Sequence, residues 1–152
     1  MSNTILIVED NQMTIELIIS AFNDKNIDAD IRSVNNGKEA LDYIFGKDKY
    51  SARNNYPLPG IILLDLDMPG VNGFEVLDKV KNTPELKRIP IVIFTSSKKD
   101  EDIKKCLDLG ANSYIRKPIS FQTLVDTIES IYFYWNKLNI IPVFPEEKLS
   151  MF

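Results

Sequence analysis

The stretch Ile61-Ile62-Leu63-Leu64-Asp65-Leu66-Asp67-Met68-Pro69-Gly70-Val71-Asn72-Gly73 decides the fold. Its four leading apolar residues are typical of a strand buried on both faces, as in parallel sheets. Two carboxylates follow, and the proline and glycines then end the strand in a tight loop. Because ligands of open α/β sheets bind outside the carboxyl ends of the strands, Asp65 is placed where a ligand would lie. The alternative is a surface aspartate that caps the next helix.

Composition limits the possible functions. The chain has 152 residues, 44% of them hydrophobic, and a formal net charge of −4, which predicts one globular domain. It contains one cysteine, Cys106, and no histidine. These counts exclude an internal disulfide, a cysteine metal cluster, a Ser-His-Asp triad and a phosphohistidine formed on this chain. No apolar run has membrane-spanning length and no leader is visible, which predicts a cytoplasmic protein with no membrane partner. The acidic balance argues against a nucleic-acid partner.

The rest of the chain alternates short apolar strands with amphipathic helices. Strands are predicted over residues 4–8, 28–34, 61–65, 91–94 and 113–116, and a helix follows each. The segment 46–60 is polar and long for a loop, which is typical of functional or mobile segments. Five strands alternating with five helices predict an α/β fold, a doubly wound parallel sheet in one domain.

Polar residues follow four of these strands, where one edge of the sheet would gather them. Glu9, Asp10, Asp65 and Asp67 put up to four carboxylates there. Crowded carboxylates repel one another unless a cation is present. Magnesium takes oxygen ligands and is usually held by one or two carboxylates together with phosphate oxygens. The sequence therefore predicts a Mg²⁺ site, with Mn²⁺ or Ca²⁺ as substitutes, that leaves positions for a phosphoryl group.

Thr95 and Lys117 complete this chemistry. The ammonium of Lys117 can pair with a carboxylate or a phosphoryl oxygen, and the hydroxyl of Thr95 can donate to a phosphoryl oxygen. An aspartate is a known nucleophile in phosphoryl transfer. A cis peptide bond before Pro118 would direct Lys117 back into the cleft. Taken singly, Lys117 could be a solvated lysine, Thr95 a helix cap, and Glu9-Asp10 ordinary acidic residues near a helix start. Together, such residues at the ends of four strands are hard to obtain by chance.

These residues resemble the receiver domains of two-component response regulators over residues 3–135. The matching segments are ILIVEDN, LLDLDMPGVNGFE, RIPIVIFTSS and LGANSYIRKP. The resemblance implies a (βα)₅, flavodoxin-like fold with strand order 2-1-3-4-5. It also implies a signalling domain that catalyses its own phosphorylation and dephosphorylation and acts on no external substrate.

The resemblance assigns roles by position. Asp65 would be the phosphoacceptor, taking a phosphoryl group from a histidine of a sensor kinase. Glu9, Asp10 and Asp65 would hold the metal together with the backbone carbonyl of Asp67.

The remaining roles concern switching and lifetime. Thr95 and Lys117 would bind the phosphoryl group, and Tyr114 would be an aromatic switch whose ring turns inward on activation. For Tyr114 the alternative is an ordinary half-buried strand residue. Asp67 and Ser97 match the positions that tune the lifetime of the phosphorylated state.

The C-terminal segment and the 46–60 loop indicate which kind of receiver the chain resembles. A receiver over 1–136 leaves a tail over 137–152 that is too short for an output domain. The long 46–60 loop and the aromatic C-terminus are similar to single-domain regulators paired with bacterial phytochrome kinases, which implies a phytochrome-type sensor histidine kinase as partner.

The last helix carries an apolar stripe and further apolar side chains beyond it. The stripe consists of Phe121, Leu124, Val125, Ile128, Ile131, Tyr132 and Trp135. A homodimer through the last helix and the tail is predicted, since contiguous apolar patches mark interfaces. Its candidate surface comprises Tyr132, Phe133, Tyr134, Ile140, Ile141 and Phe144. The alternative is a tail that folds back on its own domain.

Two other classes of protein share parts of this pattern. A haloacid-dehalogenase-type phosphatase would use Asp65 and Asp67 as its Asp-x-Asp pair, but that family places the pair after its first strand. A flavodoxin-like redox protein would need a hydroxyl-rich phosphate loop where this chain has Glu9 and Asp10, so it is rejected. The phosphatase stays open as the alternative, to be distinguished by turnover of a small substrate.

Overall fold

The structure, a computed structural model, describes residues 3–140. Within that range five strands alternate with five α-helices. The strands are β1 (Thr4–Val8), β2 (Asp30–Val34), β3 (Ile61–Leu64), β4 (Ile91–Thr95) and β5 (Ser113–Arg116). The helices are α1 (Gln12–Asp24), α2 (Gly37–Phe45), α3 (Gly73–Lys81), α4 (Asp100–Asp108) and α5 (Phe121–Tyr132).

The strands form one parallel sheet in the order β2-β1-β3-β4-β5, as predicted. Leu64 aligns with Val8 on one side and with Ile93 on the other, so the three central strands end at nearly the same level. The strand bounds differ slightly from the prediction: β2 begins at Asp30, where the register with Thr4 starts, β3 ends at Leu64, and β4 extends to Thr95.

Alternate residues of the central strands build two hydrophobic layers, one on each face of the sheet. Leu6, Ile62 and Ile93 pack with α2 and α3 on one face. Ile5, Leu63 and Phe94 pack with α1 and α5 on the other. This period of two is the direct result of strand geometry and explains why these strands are apolar throughout.

Side-chain caps set where most helices begin. The side chains of Asn11, Asn36, Asn72 and Ser120 each accept a hydrogen bond from a backbone N–H in the first turn of the next helix. Each such cap contributes about 1 kcal/mol. Lys99, the residue before α4, makes no side-chain cap, and the first turn of α4 is acidic instead. Acidic side chains stabilise a helix N-terminus through its partial positive charge.

The 46–60 segment is anchored to the domain. It contains a 3₁₀ turn, Asp48–Ser51, and the buried ring of Tyr50. The rings of Tyr43, Tyr50 and Tyr56 lie within 6.0 Å of one another, centroid to centroid. The segment joins the end of α2 to the start of β3, and Gly60 N–H donates to the carbonyl of Thr4 over 2.8 Å. It therefore lies at the amino end of the sheet, opposite the predicted site.

Arg53 fastens this segment to α2. Its guanidinium donates to the carbonyls of Tyr43 and Ile44, at 2.8 and 2.7 Å, where α2 ends. Carbonyls in the last turn of a helix lack the usual N–H partner four residues on, so a charged donor is well placed there, and the Tyr43 carbonyl also accepts from Gly46 N–H over 3.2 Å. Burial lowers the pKa of Arg53, but an arginine remains cationic at neutral pH.

Replacing Arg53 with methionine is expected to lower the free energy of unfolding by about 2 kcal/mol, because two carbonyls lose a charged donor. The measurement is urea denaturation, with Arg88→Met as control, since Arg88 is an exposed arginine. Equal losses in the two variants would contradict the anchoring role of Arg53.

No helix within residues 3–140 has the length and hydropathy needed to span a membrane.

Candidate functional site

Four strands deliver the predicted site residues to the carboxyl edge of the sheet. Asp65 N–H donates to the carbonyl of Val8 over 3.0 Å, which places Asp65 beside the end of β1 and so beside Glu9. Lys117 N–H donates to the carbonyl of Thr95 over 2.9 Å, which ties the end of β5 to the end of β4. The order of the parallel strands in the sheet thus brings residues from distant parts of the sequence to one edge.

Three carboxylates converge there. One oxygen from each of Glu9, Asp10 and Asp65 lies within 4.8 Å of the others. Glu9 and Asp65 are buried, with 2% and 5% of their surfaces exposed, whereas Asp10 is exposed. Asp67 is also exposed, and its carboxylate is not part of this group of three. The structure therefore gathers three of the four predicted carboxylates, and oxygen ligands of this kind suit a hard divalent cation.

Burial dominates the electrostatics of Glu9. Loss of solvent raises the pKa of Glu9 to about 7, while the ammonium of Lys117 opposes the rise and the neighbouring Asp65 adds to it. A carboxylate that is costly to ionise beside another carboxylate needs a positive charge nearby.

Lys117 supplies that charge in this structure. Its ammonium donates to Oε1 of Glu9 and lies 3.4 Å from Oδ2 of Asp65. The predicted cis bond before Pro118 is wrong, because residues 3–140 contain no cis peptide bond. Lys117 reaches both carboxylates with the trans bond, which is the form that X–Pro bonds prefer by about 0.5–1 kcal/mol.

Thr95 ends β4 and is fully buried. Its hydroxyl Oγ1 makes no hydrogen bond to any other described residue. A buried polar atom without a partner is costly, and such atoms often mark a functional role. The hydroxyl is therefore available to a group that enters the site.

Tyr114 and Ser97 are hydrogen-bonded to each other, and neither bonds to the three carboxylates. The Tyr114 hydroxyl donates to the backbone carbonyl of Ser97 over 3.1 Å, and the ring is half-buried. The hydroxyl of Ser97 donates to Oδ2 of Asp102 in the first turn of α4, over 2.6 Å. The sequence predicted Tyr114 and Ser97 as functional residues but not Asp102.

Gly73, which the sequence predicts only as part of the tight loop after β3, is the first residue of α3 and contacts the backbone of Asp65. A Cβ at this position would lie 2.3 Å from the carbonyl oxygen of Asp65 and 2.8 Å from the Cα of Leu66. Gly73 therefore lets the start of α3 approach the backbone of Asp65 more closely than any other residue type allows. The sequence shows a glycine near the start of a predicted helix, but it does not show that this glycine packs against the backbone of Asp65.

The comparisons with known proteins agree with this geometry. Residues 5–129 match the response regulator receiver domain model. The chain belongs to the response regulator receiver family. The order of its acidic residues along the fold excludes the haloacid-dehalogenase-type phosphatase, because Glu9 and Asp10 follow β1 and Asp65 follows β3, whereas that family places its Asp-x-Asp pair after the first strand.

Similar receivers span nearly the same length. The chain is 38% identical over 138 residues to the probable methanogenesis regulatory protein FilR2 of Methanothrix harundinacea, covering 91% of this chain and 86% of that protein. It is 31% identical over 138 residues to the response regulator Rcp1 of a Synechocystis strain, covering 91% and 92%.

Two solved structures are similar in fold. One is the phosphorylated cyanobacterial phytochrome response regulator RcpA, with 34% identity, a TM-score of 0.86 and coverage of 94% of this chain and 100% of that one. The other is the Mn²⁺-bound form of Rcp1, with 31% identity, a TM-score of 0.82 and coverage of 92% and 99%. The receiver fold with strand order 2-1-3-4-5 is thus confirmed, and this chain is a phosphoacceptor signalling domain by family.

Proposed function

We propose that Asp65 accepts a phosphoryl group from a phosphorylated histidine of a partner sensor kinase of the phytochrome type, in the cytoplasm. An oxygen of the Asp65 carboxylate attacks phosphorus, the bond between phosphorus and the histidine nitrogen breaks, and the imidazole takes a proton. The product is an acyl phosphate on this chain. Because the sequence contains no histidine, the donor is another molecule.

The observation that carries this proposal is the convergence of Asp65, Lys117 and Thr95. Asp65 is a buried carboxylate within reach of the Lys117 ammonium, as Glu9 is, and the Thr95 hydroxyl at the end of β4 has no partner among the described residues. Lys117 can exchange a carboxylate for a phosphoryl oxygen, and Thr95 can donate to another. Phosphoryl transfer needs little beyond such positioning and charge neutralisation.

Glu9, Asp10 and Asp65 would hold Mg²⁺, together with the backbone carbonyl of Asp67. The group of three carboxylates fits a divalent ion with spare positions for phosphoryl oxygens. When bound, the ion neutralises charge that develops on the phosphoryl oxygens. Mn²⁺ and Ca²⁺ bind through the same oxygen ligands and are the expected substitutes.

The experiment for this function is intact-protein mass after incubation with Mg²⁺ and acetyl phosphate. The wild type is expected to gain one phosphoryl group, and Asp65→Asn is expected to gain none. Asp67→Asn is the matched control and keeps the gain, because its carboxylate lies outside the group of three. Release of phosphate with continuous turnover and without an adduct would contradict the proposal.

Exposed apolar side chains beside the site support a protein as the phosphoryl donor. Met13 near the start of α1 is 70% exposed, and Ile119 in the β5–α5 loop is 102% exposed. Both positions follow strand ends at the carboxyl edge of the sheet, and α1 packs against α5. A helix of the kinase that presents the phosphohistidine would bury this surface.

The lifetime of the acyl phosphate is proposed to depend on the side chains of Asp67 and Ser97. Asp67 is exposed two residues after Asp65, and Ser97 lies in the loop after Thr95. A larger polar side chain at either position is expected to change the rate of phosphate loss.

We also propose a homodimer through the last helix. Beyond α5 the chain continues as a π-helical segment, Phe133–Leu138. Phe133 and Tyr134 are 54% and 51% exposed there, and Ile140 is 91% exposed, whereas Tyr132 is half-buried. Tyr134 and Trp135 also line an open groove of about 580 Å³ between β5 and α5. The candidate residues Ile141 and Phe144 lie outside the described residues.

The double variant Phe133→Ala with Tyr134→Ala is expected to convert a dimer to a monomer in light scattering. Its control is Met13→Ala with Leu17→Ala, which removes exposed apolar surface from α1 instead. An unchanged mass in the first variant, or an equal change in the second, would contradict a dimer interface at the last helix.

A further inference from the structure

Ser97 is held at two points. Its hydroxyl donates to Oδ2 of Asp102 over 2.6 Å, a length typical of a hydrogen bond to an ionised carboxylate. Its backbone carbonyl accepts from the hydroxyl of Tyr114 over 3.1 Å. Asp102 thereby links the first turn of α4 to the β4–α4 loop, in a region where both side chains are partly buried.

The hydrogen bond to Asp102 uses the proton of Ser97. A serine hydroxyl has a single proton to donate. The backbone N–H of Lys99 donates to Ser97 Oγ over 3.3 Å. Because Ser97 is the acceptor in that bond, its own proton remains in the hydrogen bond to Asp102. Ser97 follows Thr95 by two residues at the carboxyl edge of the sheet, which is the edge that carries Asp65.

We propose that Asp102 is a positioning residue that slows the loss of the phosphoryl group by retaining the hydroxyl of Ser97. The proposal rests on the phosphoacceptor role proposed for Asp65. In the hydrolysis, water adds to phosphorus, and the bond between phosphorus and the Asp65 oxygen breaks. The carboxylate is regenerated, and inorganic phosphate and a proton leave to solvent.

A hydroxyl released from Asp102 favours this reaction. It can donate to a phosphoryl oxygen or orient the attacking water, and both interactions strengthen as charge shifts in the transition state. While Asp102 accepts the proton, neither interaction forms. Asp102 therefore lengthens the life of the acyl phosphate without touching the reacting atoms.

The test follows hydrolysis of the adduct by intact mass, after removal of acetyl phosphate and with Mg²⁺ present. Asp102→Ala is expected to hydrolyse about three- to tenfold faster than the wild type, the effect of one hydrogen bond of ordinary net strength. Asp102→Asn keeps an acceptor oxygen and is expected to restore most of the slow rate. Asp100→Ala removes a charge from the same helical turn and is expected to leave the rate unchanged.

The hydrolysis rates of Ser97→Ala and of the double variant Ser97→Ala with Asp102→Ala are then compared. This comparison distinguishes an effect of Asp102 through the Ser97 hydroxyl from a general effect of Asp102 on the stability of the fold. Without the hydroxyl, Asp102→Ala is expected to have no effect on the rate. An equal acceleration in both backgrounds, or no acceleration in either, would overturn the proposal. Loading of the wild type tests Asp65, and the ratio of hydrolysis rates tests Asp102, so the two ideas fail separately.

Discussion

Replacing Lys117 with methionine is expected to reduce phosphorylation by acetyl phosphate at least tenfold and to destabilise the metal-free protein by about 1–3 kcal/mol. Glu9 and Asp65 have side chains only 3% and 6% exposed, and both lie at the ammonium of Lys117. Without that charge, two buried carboxylates face each other. The rate falls because the phosphoryl oxygens also lose their cationic partner.

Urea denaturation with EDTA and with Mg²⁺ measures the stability part of this prediction. Mg²⁺ is expected to recover more stability in Lys117→Met than in the wild type, because the ion replaces the missing positive charge. Lys98→Met, at an exposed lysine of the β4–α4 loop, is the control and should match the wild type. Equal stabilisation of all three proteins by Mg²⁺ would show that Lys117 does not balance the carboxylates.

Replacing Gly73 with alanine is expected to destabilise the fold by about 2–3 kcal/mol and to weaken phosphorylation of Asp65. The new Cβ would meet the carbonyl oxygen of Asp65 at 2.3 Å, which the backbone cannot accommodate without moving α3 or the phosphoacceptor. Overpacking at a rigid contact costs energy of this order.

Gly70→Ala is the matched control for Gly73. Gly70 has a positive φ of +74°, but a Cβ there meets no atom within 4 Å. Its substitution should cost about 1 kcal/mol from backbone strain and leave phosphorylation near normal. If Gly70→Ala impairs phosphorylation as strongly as Gly73→Ala, the contact with Asp65 is not the reason.

The positions of the candidate site residues were largely predictable, because each follows a short apolar strand that is recognisable in the local sequence. Apolar strands ending in Glu9-Asp10, Asp65 and Thr95 identify both the buried layers and the polar edge, and parallel topology then brings these residues together. In the structure, Glu9, Asp10 and Asp65 lie together at this edge, and Lys117 contacts Glu9.

The remaining features depend on contacts between distant residues. The 46–60 segment is long and polar, yet Arg53 and three tyrosine rings anchor it, which loop length does not reveal. Phe121 has the spacing of the apolar stripe but is 43% exposed, because it is the first residue of α5. The link between Ser97 and Asp102 spans five positions, which differs from the three-residue spacing of a capping box.

The location of the phosphoryl group tests most directly whether Asp65 is the phosphoacceptor. After loading with acetyl phosphate and Mg²⁺, borohydride reduction converts an aspartyl phosphate to homoserine, which peptide mass spectrometry locates. Homoserine is expected at position 65 of the wild type. Homoserine at Asp10 or Asp67, or a phosphoryl group on Thr95, would contradict this expectation.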